Sequence, residues 1–363
     1  MSGRGWEPTP LPLEHAELVL GLERLVYGES DVAERSYYEW LYRANPAGEG
    51  IIWYAATGSP EAPSAGHYAV IPMRFAVHGE TVRSSLSLNT LTHPRYRRQG
   101  VFAELAERVF AECERRGIAF TYGFPNPASL PGFVGRLRFA DIGRVPLLLA
   151  PLRPRDITPP GASRARRLIL RAGAYLASAL SALARRRAAS EPVPVTETSP
   201  RSAVWDRLWE RLRGKYPVMM VRDQAYVAWR FGACPTRRYR LYLAERDGEP
   251  LGFAATRVGT VLGLRAGLVV DLVTASGARG RAAGRSLLRA AVAEFTASEV
   301  SLAASLALRH TAEYACLRSA GFFRCPRALE PQPFPVILRR HGASPVPATI
   351  GEWLLTMGDY DAV

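Results

Sequence analysis

Residues 90–110 read TLTHPRYRRQGVFAELAERVF, and the fold depends on how the middle of that stretch is read. A strand-like run, Ser85–Thr92, comes before it and an apolar helical run follows. Between them stand Arg95, Arg97, Arg98 and Gly100. A strand that feeds a glycine-containing turn into a helix exposes backbone N–H groups at the helix start, where the helix dipole adds partial positive charge. Phosphate is the usual occupant of such a site. Gly100 lets the anion approach the backbone where a Cβ would obstruct it, and Arg97 and Arg98 add charge-assisted contacts. Each such contribution is worth about 0.3–2 kcal/mol. Micromolar binding needs roughly 8 kcal/mol, so the ligand has to extend well beyond its phosphates.

The same order of features occurs twice. YYEWLYRANP (37–46) and YVAWRFGACP (226–235) share the pattern Tyr-x-x-Trp-x-aromatic-x-Ala-x-Pro. Each reads as a short helix with an aromatic face, stopped by its proline. An amphipathic helix precedes each copy: Leu18, Leu22 and Leu25 in the first half, Trp205, Leu208, Trp209 and Leu212 in the second. After each copy come strands, an arginine-rich turn, a helix, another strand and helix, and a closing Arg138-Phe139 or Gly321-Phe322. The period is far too long for a solenoid, so the chain is a duplication of one α/β unit.

At 363 residues, two domains are expected. The net charge of +14 suggests a polyanionic partner, but Lys215 is the only lysine among 47 basic residues. With abundant Ala, Gly and Pro, this skew reads as codon bias as much as a basic surface, and no specific nucleic acid is expected. Cys113, Cys234, Cys316 and Cys325 have neither C-x-x-C pairing nor histidines at zinc spacing, so no metal is expected. Scattered thiols, no apolar signal core and no membrane-length run point to a cytoplasmic protein.

The segment between the halves is different. RARRLILRAGAYLASALSALARRR (164–187) sits between two proline-rich stretches. On a helical wheel Arg164, Arg167, Arg171, Ser178, Ser181 and Arg185 share one face, and Ile169, Leu176, Leu180 and Leu183 the other. Such a helix either packs its leucines on a domain, the favoured expectation, or makes peripheral contact with an anionic membrane through residues 164–187.

No G-x-x-x-x-G-K-[ST] loop and no G-x-G-x-x-G near the first strand is present, which removes the P-loop and dinucleotide folds. The turn instead resembles the acyl-CoA pyrophosphate motif [Q/R]-x-x-G-x-[G/A] of the GNAT superfamily of N-acyltransferases, reading Arg97-Arg98-Gln99-Gly100-Val101-Phe102. Arg281-Ala282-Ala283-Gly284-Arg285-Ser286 repeats it in the second half. The resemblance covers roughly residues 14–150 and 200–330. It implies an α/β (α+β) chain of two tandem GNAT-like domains, each a mixed, mostly antiparallel central sheet flanked by helices. The expected division is an acyl-CoA-binding domain at 1–153, a linker at 154–198 and a second, degenerate domain at 199–363. Phe102 stands where the family has glycine or alanine, and Arg138 replaces the glycine of its usual "GF" ending. The second turn lacks the paired arginines, so the first half is the expected CoA binder. The implied cofactor contacts are Leu91, Thr92, Arg97, Arg98, Gln99, Gly100, Val101, Phe102 and Asn126, with acetyl-CoA or another acyl-CoA as co-substrate.

The family reaction is direct attack of a primary amine on the thioester, with a base to take the ammonium proton and N–H donors for the oxyanion. The family's acid, a tyrosine shortly before "GF", is missing at its usual spacing, and Tyr314 is the nearest substitute. Asp271, on the strand before the second turn, is the base candidate, with Asn89 at the matching place in the first half. Asn126 either touches the pantetheine arm or caps the next helix, and His67, His78 and His93 show no partner pattern. Asp359 and Asp361 near the C-terminus either meet a cationic amine or are simply solvated. The expected activity is acyl-CoA-dependent N-acyl transfer, chiefly N-acetyl transfer, to a small-molecule amine held in the cleft between the halves. Two alternatives stay open: a Fem-type transferase using aminoacyl-tRNA, and a non-catalytic CoA-binding or membrane-surface scaffold. The acceptor's identity and the oligomeric state are not encoded in any motif.

Overall fold

The computed structural model describes residues 5–157, 164–187 and 191–360, without the side chains at 164–167, 185–187 and 328. In chain order the first half carries β1 (Glu7–Pro10), α1 (Glu17–Tyr27), α2 (Arg35–Tyr38), β2 (Ile51–Ala56), β3 (Ser64–Val77), β4 (Glu80–Thr92), α3 (Val101–Arg115), β5 (Phe120–Gly123) and β6 (Ala140–Arg144). There follow β7 (Leu147–Pro151), α4 (Arg164–Arg187), β8 (Val195–Glu197), α5 (Val204–Leu212), β9 (Val218–Met220) and α6 (Gln224–Val227). The second half continues with β10 (Arg240–Arg246), β11 (Glu249–Val261), β12 (Leu264–Thr274), α7 (Gly277–Ala297), β13 (Leu302–Leu306) and α8 (Ala312–Ser319). It ends with β14 (Phe323–Arg324), β15 (Pro335–Arg340) and β16 (Trp353–Leu354).

The repeat is real at the level of backbone. α2 runs into a π-helical turn at Glu39–Arg43 and α6 into another at Ala228–Gly232, each ending ahead of its proline. Their aromatic faces are buried: Tyr37 packs on Trp40 at 5.1 Å and Tyr226 on Trp229 at 6.1 Å.

Two compact units form, and they do not coincide with the two halves. One is 1–143 with 233–236 and 335–350; the other is 144–232 with 237–334 and 351–363. The boundary expected at 153 is therefore moved by strand pairing. β15, from the end of the chain, lies between β5 and β6 in the order β1-β2-β3-β4-β5-β15-β6. β7, from the first half, lies between β13 and β14 in the order β14-β7-β13-β12-β11-β10-β8. Each half thus supplies the strand that fills the other half's sheet. Only β4–β5 and β12–β13 are parallel within these two orders, and the other registered pairs of those orders are antiparallel.

In the first unit α3 covers the sheet. Val101, Leu105, Ala106, Val109, Phe110 and Cys113 follow the helical period and are all nearly inaccessible. Each large apolar side chain so buried contributes about 1.5–3 kcal/mol, and this anchors the start of α3 against β3. Gly66 permits the close approach: a Cβ there would lie 2.8 Å from the Leu91 carbonyl oxygen and 2.9 Å from Val101.

Candidate functional site

β4 pairs with β5 only over Ser84–Ser87, while along β3 it continues to Thr92. Past Ser87 the two parallel strands part. A bulge lies at that point: Ala69 faces Leu88 and His67 faces Leu91, so Asn89 and Thr90 stand opposite Tyr68 alone. Asn89 takes a left-handed φ of 45°. A bulge disrupts the ladder and leaves backbone polar groups for other partners.

Beyond Thr92 the chain makes the arginine turn. His93 Nδ1 accepts the Arg95 amide at 3.2 Å, and Gln99 Nε2 donates to the Arg95 carbonyl at 3.1 Å. Arg98 and Gly100 adopt φ of 64° and 84°, and Gly100 caps α3 from that left-handed conformation. The amides of Ala103 and Glu104 both reach the Gly100 carbonyl, at 3.1 Å each. The amides of Val101 and Phe102 are first-turn donors without a partner inside the helix. Arg97, Arg98 and Gln99 are exposed beside them. A Cβ on Gly100 would meet nothing within 4 Å, so the glycine is needed for its φ and not for packing. Phe102 points the other way, against Phe133 (5.2 Å, edge-on) and Tyr68 (5.8 Å), and does not fill the turn.

Asn126, just past β5, uses its side-chain oxygen as a cap, accepting the amides of Ala128 and Ser129 at 3.0 and 2.9 Å. Leu91 is buried and Thr92 half-buried at the strand end.

A group of polar side chains is buried beside the bulge. Glu23 from α1 and His67 from β3, both inaccessible, meet at 3.2 Å between Oε1 and Nε2. Neither finds a well-formed hydrogen bond among the described residues. Asn89 Nδ2 donates to the Tyr42 hydroxyl at 3.3 Å. Burial, reinforced by the nearby Glu23 charge, pushes Tyr42 well above the usual tyrosine range, so it stays protonated. No pattern in the sequence pairs His67 with a partner. The available signal was on α1, where Glu23 falls on the buried face with Val19, Leu20 and Leu22.

The second unit repeats the strand geometry. Ala255 faces Asp271 and Thr256 faces Val269, so Val270 is the extra residue, and β12 pairs with β13 only through Val269. No arginine turn follows. α7 begins at Gly277, so Gly284 is a mid-helix residue, with Cys316 Sγ 2.7 Å from where its Cβ would be. A Cβ on Gly280 would lie 1.7 Å from the Ala275 carbonyl oxygen. The amide of Thr274 is already taken by the buried Glu313 carboxylate at 3.0 Å. Lys215 Nζ (2.6 Å) and the Tyr216 hydroxyl (2.6 Å) donate to that same carboxylate.

Asp271 is fully enclosed: Arg222 donates to Oδ2 at 2.8 Å and Thr356 to Oδ1 at 3.0 Å. Arg222 also holds Asp359, whose oxygens lie 2.9 and 3.0 Å from Nη2. Burial works against the Arg222 charge, the two carboxylates outweigh it, and its pKa is raised. Asp271 and Asp359 are thus an internal ion cluster whose oxygens are taken by Arg222 and Thr356, while Asp361 lies outside the described residues. Tyr314 is half-buried on α8, its amide capped by Thr311, and no contact joins it to Asp271 among the described residues.

Residues 11–140 match the acetyltransferase (GNAT) domain and residues 202–323 the acetyltransferase (GNAT) family. The chain belongs to the GNAT superfamily, with two such domains in tandem. No curated protein matches this GNAT sequence. Among solved structures it is similar to a GCN5-related N-acetyltransferase from Anabaena variabilis (15% identity, TM-score 0.60, covering 92% of this chain and 72% of that one). A GCN5-related N-acetyltransferase from Kribbella flavida gives 13%, 0.58, 92% and 72%. Saccharomyces cerevisiae N-myristoyltransferase with bound myristoyl-CoA gives 14%, 0.59, 95% and 81%. At these identities the likeness is one of fold.

Proposed function

We propose that this GNAT chain is an acyl-CoA-dependent N-acyltransferase that acylates a primary amine, and that its first unit holds the acyl-CoA. The turn at 97–102 carries this reading. Two first-turn amides, two exposed arginines and an open glycine sit at the end of a strand that has just parted from its parallel neighbour. These donors fit a pyrophosphate. The gap between β4 and β5 suits the extended arm of the ligand, and the bulge leaves backbone N–H groups for the thioester oxygen.

A primary amine arrives as ammonium at neutral pH and must lose a proton before it attacks. Glu23 and His67 are the paired proton-accepting groups beside the bulge. Asn89, half-buried, and Tyr42, kept protonated, stand next to that pair. In this reading the Glu23 carboxylate orients the imidazole, His67 takes the proton, and the CoA thiol departs without a dedicated acid. Acetyl-CoA, supplied with a panel of primary amines, is the first test, read by thiol release. Amine-dependent release is expected. A folded protein that neither binds acetyl- or longer acyl-CoA by calorimetry nor releases thiol with any amine refutes the reading.

A further inference from the structure

Four of the five leucines of α4, Leu168, Leu176, Leu180 and Leu183, are exposed. The small, polar face packs on the protein: Ala174 and Ser181 are buried against β7 and α8, and Ser181 Oγ donates to the Gly321 carbonyl at 2.6 Å. Gly321 makes this dock possible. It holds a φ of 87°, and a Cβ there would lie 2.7 Å from Ser181 Cα. The helix cannot rotate without losing that contact, so its other face is fixed outward.

That outward face is apolar. Of the ten exposed large hydrophobic residues among those described, six are on α4: Leu168, Ile169, Tyr175, Leu176, Leu180 and Leu183. Leu168 is 72% exposed and Leu176 63%. Residues at these spacings form one stripe along a helix of 24 residues, about 36 Å long. The sequence of the same helix opens with three arginines in four positions, closes with three more, has Arg171 between, and contains no acidic residue. No helix of the described residues is long and apolar enough to cross a membrane.

We propose that α4 is a docking surface for an anionic lipid bilayer, lying in the interface with the stripe buried among acyl chains. The charge selects this occupant. The helix sequence has seven arginines and no carboxylate, so a second copy would add like charge, whereas an anionic surface attracts that net positive charge. A helix with an apolar stripe, a cationic remainder and low overall hydrophobicity lies on a membrane.

The test is co-sedimentation of the full chain with vesicles of equal parts phosphatidylcholine and phosphatidylglycerol, and with phosphatidylcholine alone, at low and high salt. Binding to the anionic vesicles, weakened by salt and by omission of phosphatidylglycerol, is expected. The double variant Leu176→Glu/Leu180→Glu alters two exposed side chains, and circular dichroism should show an unchanged fold. Its partition should fall by about 100-fold, because two buried leucines are replaced by two charges of the membrane's own sign. No binding by the wild type, equal binding by the variant, or equal binding to both vesicle types overturns the proposal. A concentration-dependent dimer in sedimentation velocity that the variant abolishes also overturns it, in favour of a second copy.

Discussion

Replacing Gly100 and Gly284 by alanine separates the two copies of the motif, because the structure gives the two glycines different reasons to exist. Gly100 has open space around its missing Cβ but a φ of 84°. An L-residue held there pays about 1–2 kcal/mol. The turn is exposed, so Gly100→Ala relaxes out of the left-handed conformation in the unliganded protein and must return to it when acyl-CoA binds. The whole cost then falls on affinity, a loss of about 5–30-fold at 1.4 kcal/mol per tenfold. Gly284 lies mid-helix, where alanine gains about 0.8–1.0 kcal/mol in propensity. Its Cβ would also meet Cys316 Sγ at 2.7 Å and Thr274 Cγ2 at 3.1 Å. Overpacking of that kind costs about 1–3 kcal/mol. Gly284→Ala should therefore lose about 0–2 kcal/mol of stability and leave affinity untouched. Calorimetric titration with acetyl-CoA and thermal unfolding of both variants give the four readings. If Gly284→Ala weakens binding as much as Gly100→Ala, or Gly100→Ala leaves the dissociation constant unchanged, the assignment of the cofactor site to the first turn is wrong.

Glu23→Gln and His67→Asn should each lower kcat at least tenfold, about 1.4 kcal/mol of barrier, with the KM for acyl-CoA unchanged; a rise in KM alone would mean the pair only shapes the pocket. Arg222→Met strands the Asp271 and Asp359 carboxylates in a closed interior and should cost about 3–5 kcal/mol, read as a large drop in unfolding temperature, and a drop of only a degree or two would show that the cluster is not closed in solution. His341 is buried, its Nε2 2.7 Å from Thr121 Oγ1, and burial lowers its pKa from 6.5 to about 4. Between those values the unfolded chain binds the proton and the folded one does not, so stability is complete above pH 6.5 and falls as pH drops toward 4, by up to about 3 kcal/mol. Thermal unfolding across that range should show the decline, and His341→Gln should flatten it; an equal slope in both proteins would place the titration elsewhere.

The duplication, the α/β class and the arginine turn were legible in residues that act locally. Gly100, the proline stops after the paired aromatic helices and the α3 spacing each constrain a few neighbours, and each reads the same in sequence and structure. What was not legible depends on long-range pairing. No local signal says that Pro335–Arg340 will pair with Phe120–Gly123, some two hundred residues earlier, instead of closing its own sheet. Asp271 looked like a base because a strand carboxylate before a turn is visible in sequence, and Arg222 and Thr356, which enclose it, are not visible as its partners. The α4 wheel was right about the two faces and wrong about which is inward. A serine and an alanine seldom outcompete leucines for burial, yet here Gly321 offers a backbone approach that only small residues can use.

Both copies keep the bulge and the parting of the parallel strands, so that geometry belongs to the sheet and does not by itself make a ligand site. What differs is the supply of donors at the strand end. In the first unit the amides of Val101 and Phe102 are first-turn donors without a partner inside the helix, with exposed arginines beside them. In the second, Glu313 takes the Thr274 amide, Lys215 donates to the Thr274 carbonyl at 2.7 Å, and Gly280 packs the helix start onto Ala275. A carboxylate thus occupies the strand-end amide of the second unit, and a buried anion repels a second one. The chain's single lysine neutralises it from within. The strand end of the second copy is therefore tied up by its own side chains, and removing Glu313 alone would not free it. The helix start would still press on Ala275, and Lys215 would lose the partner that balances its charge in an interior where an unpaired cation is costly.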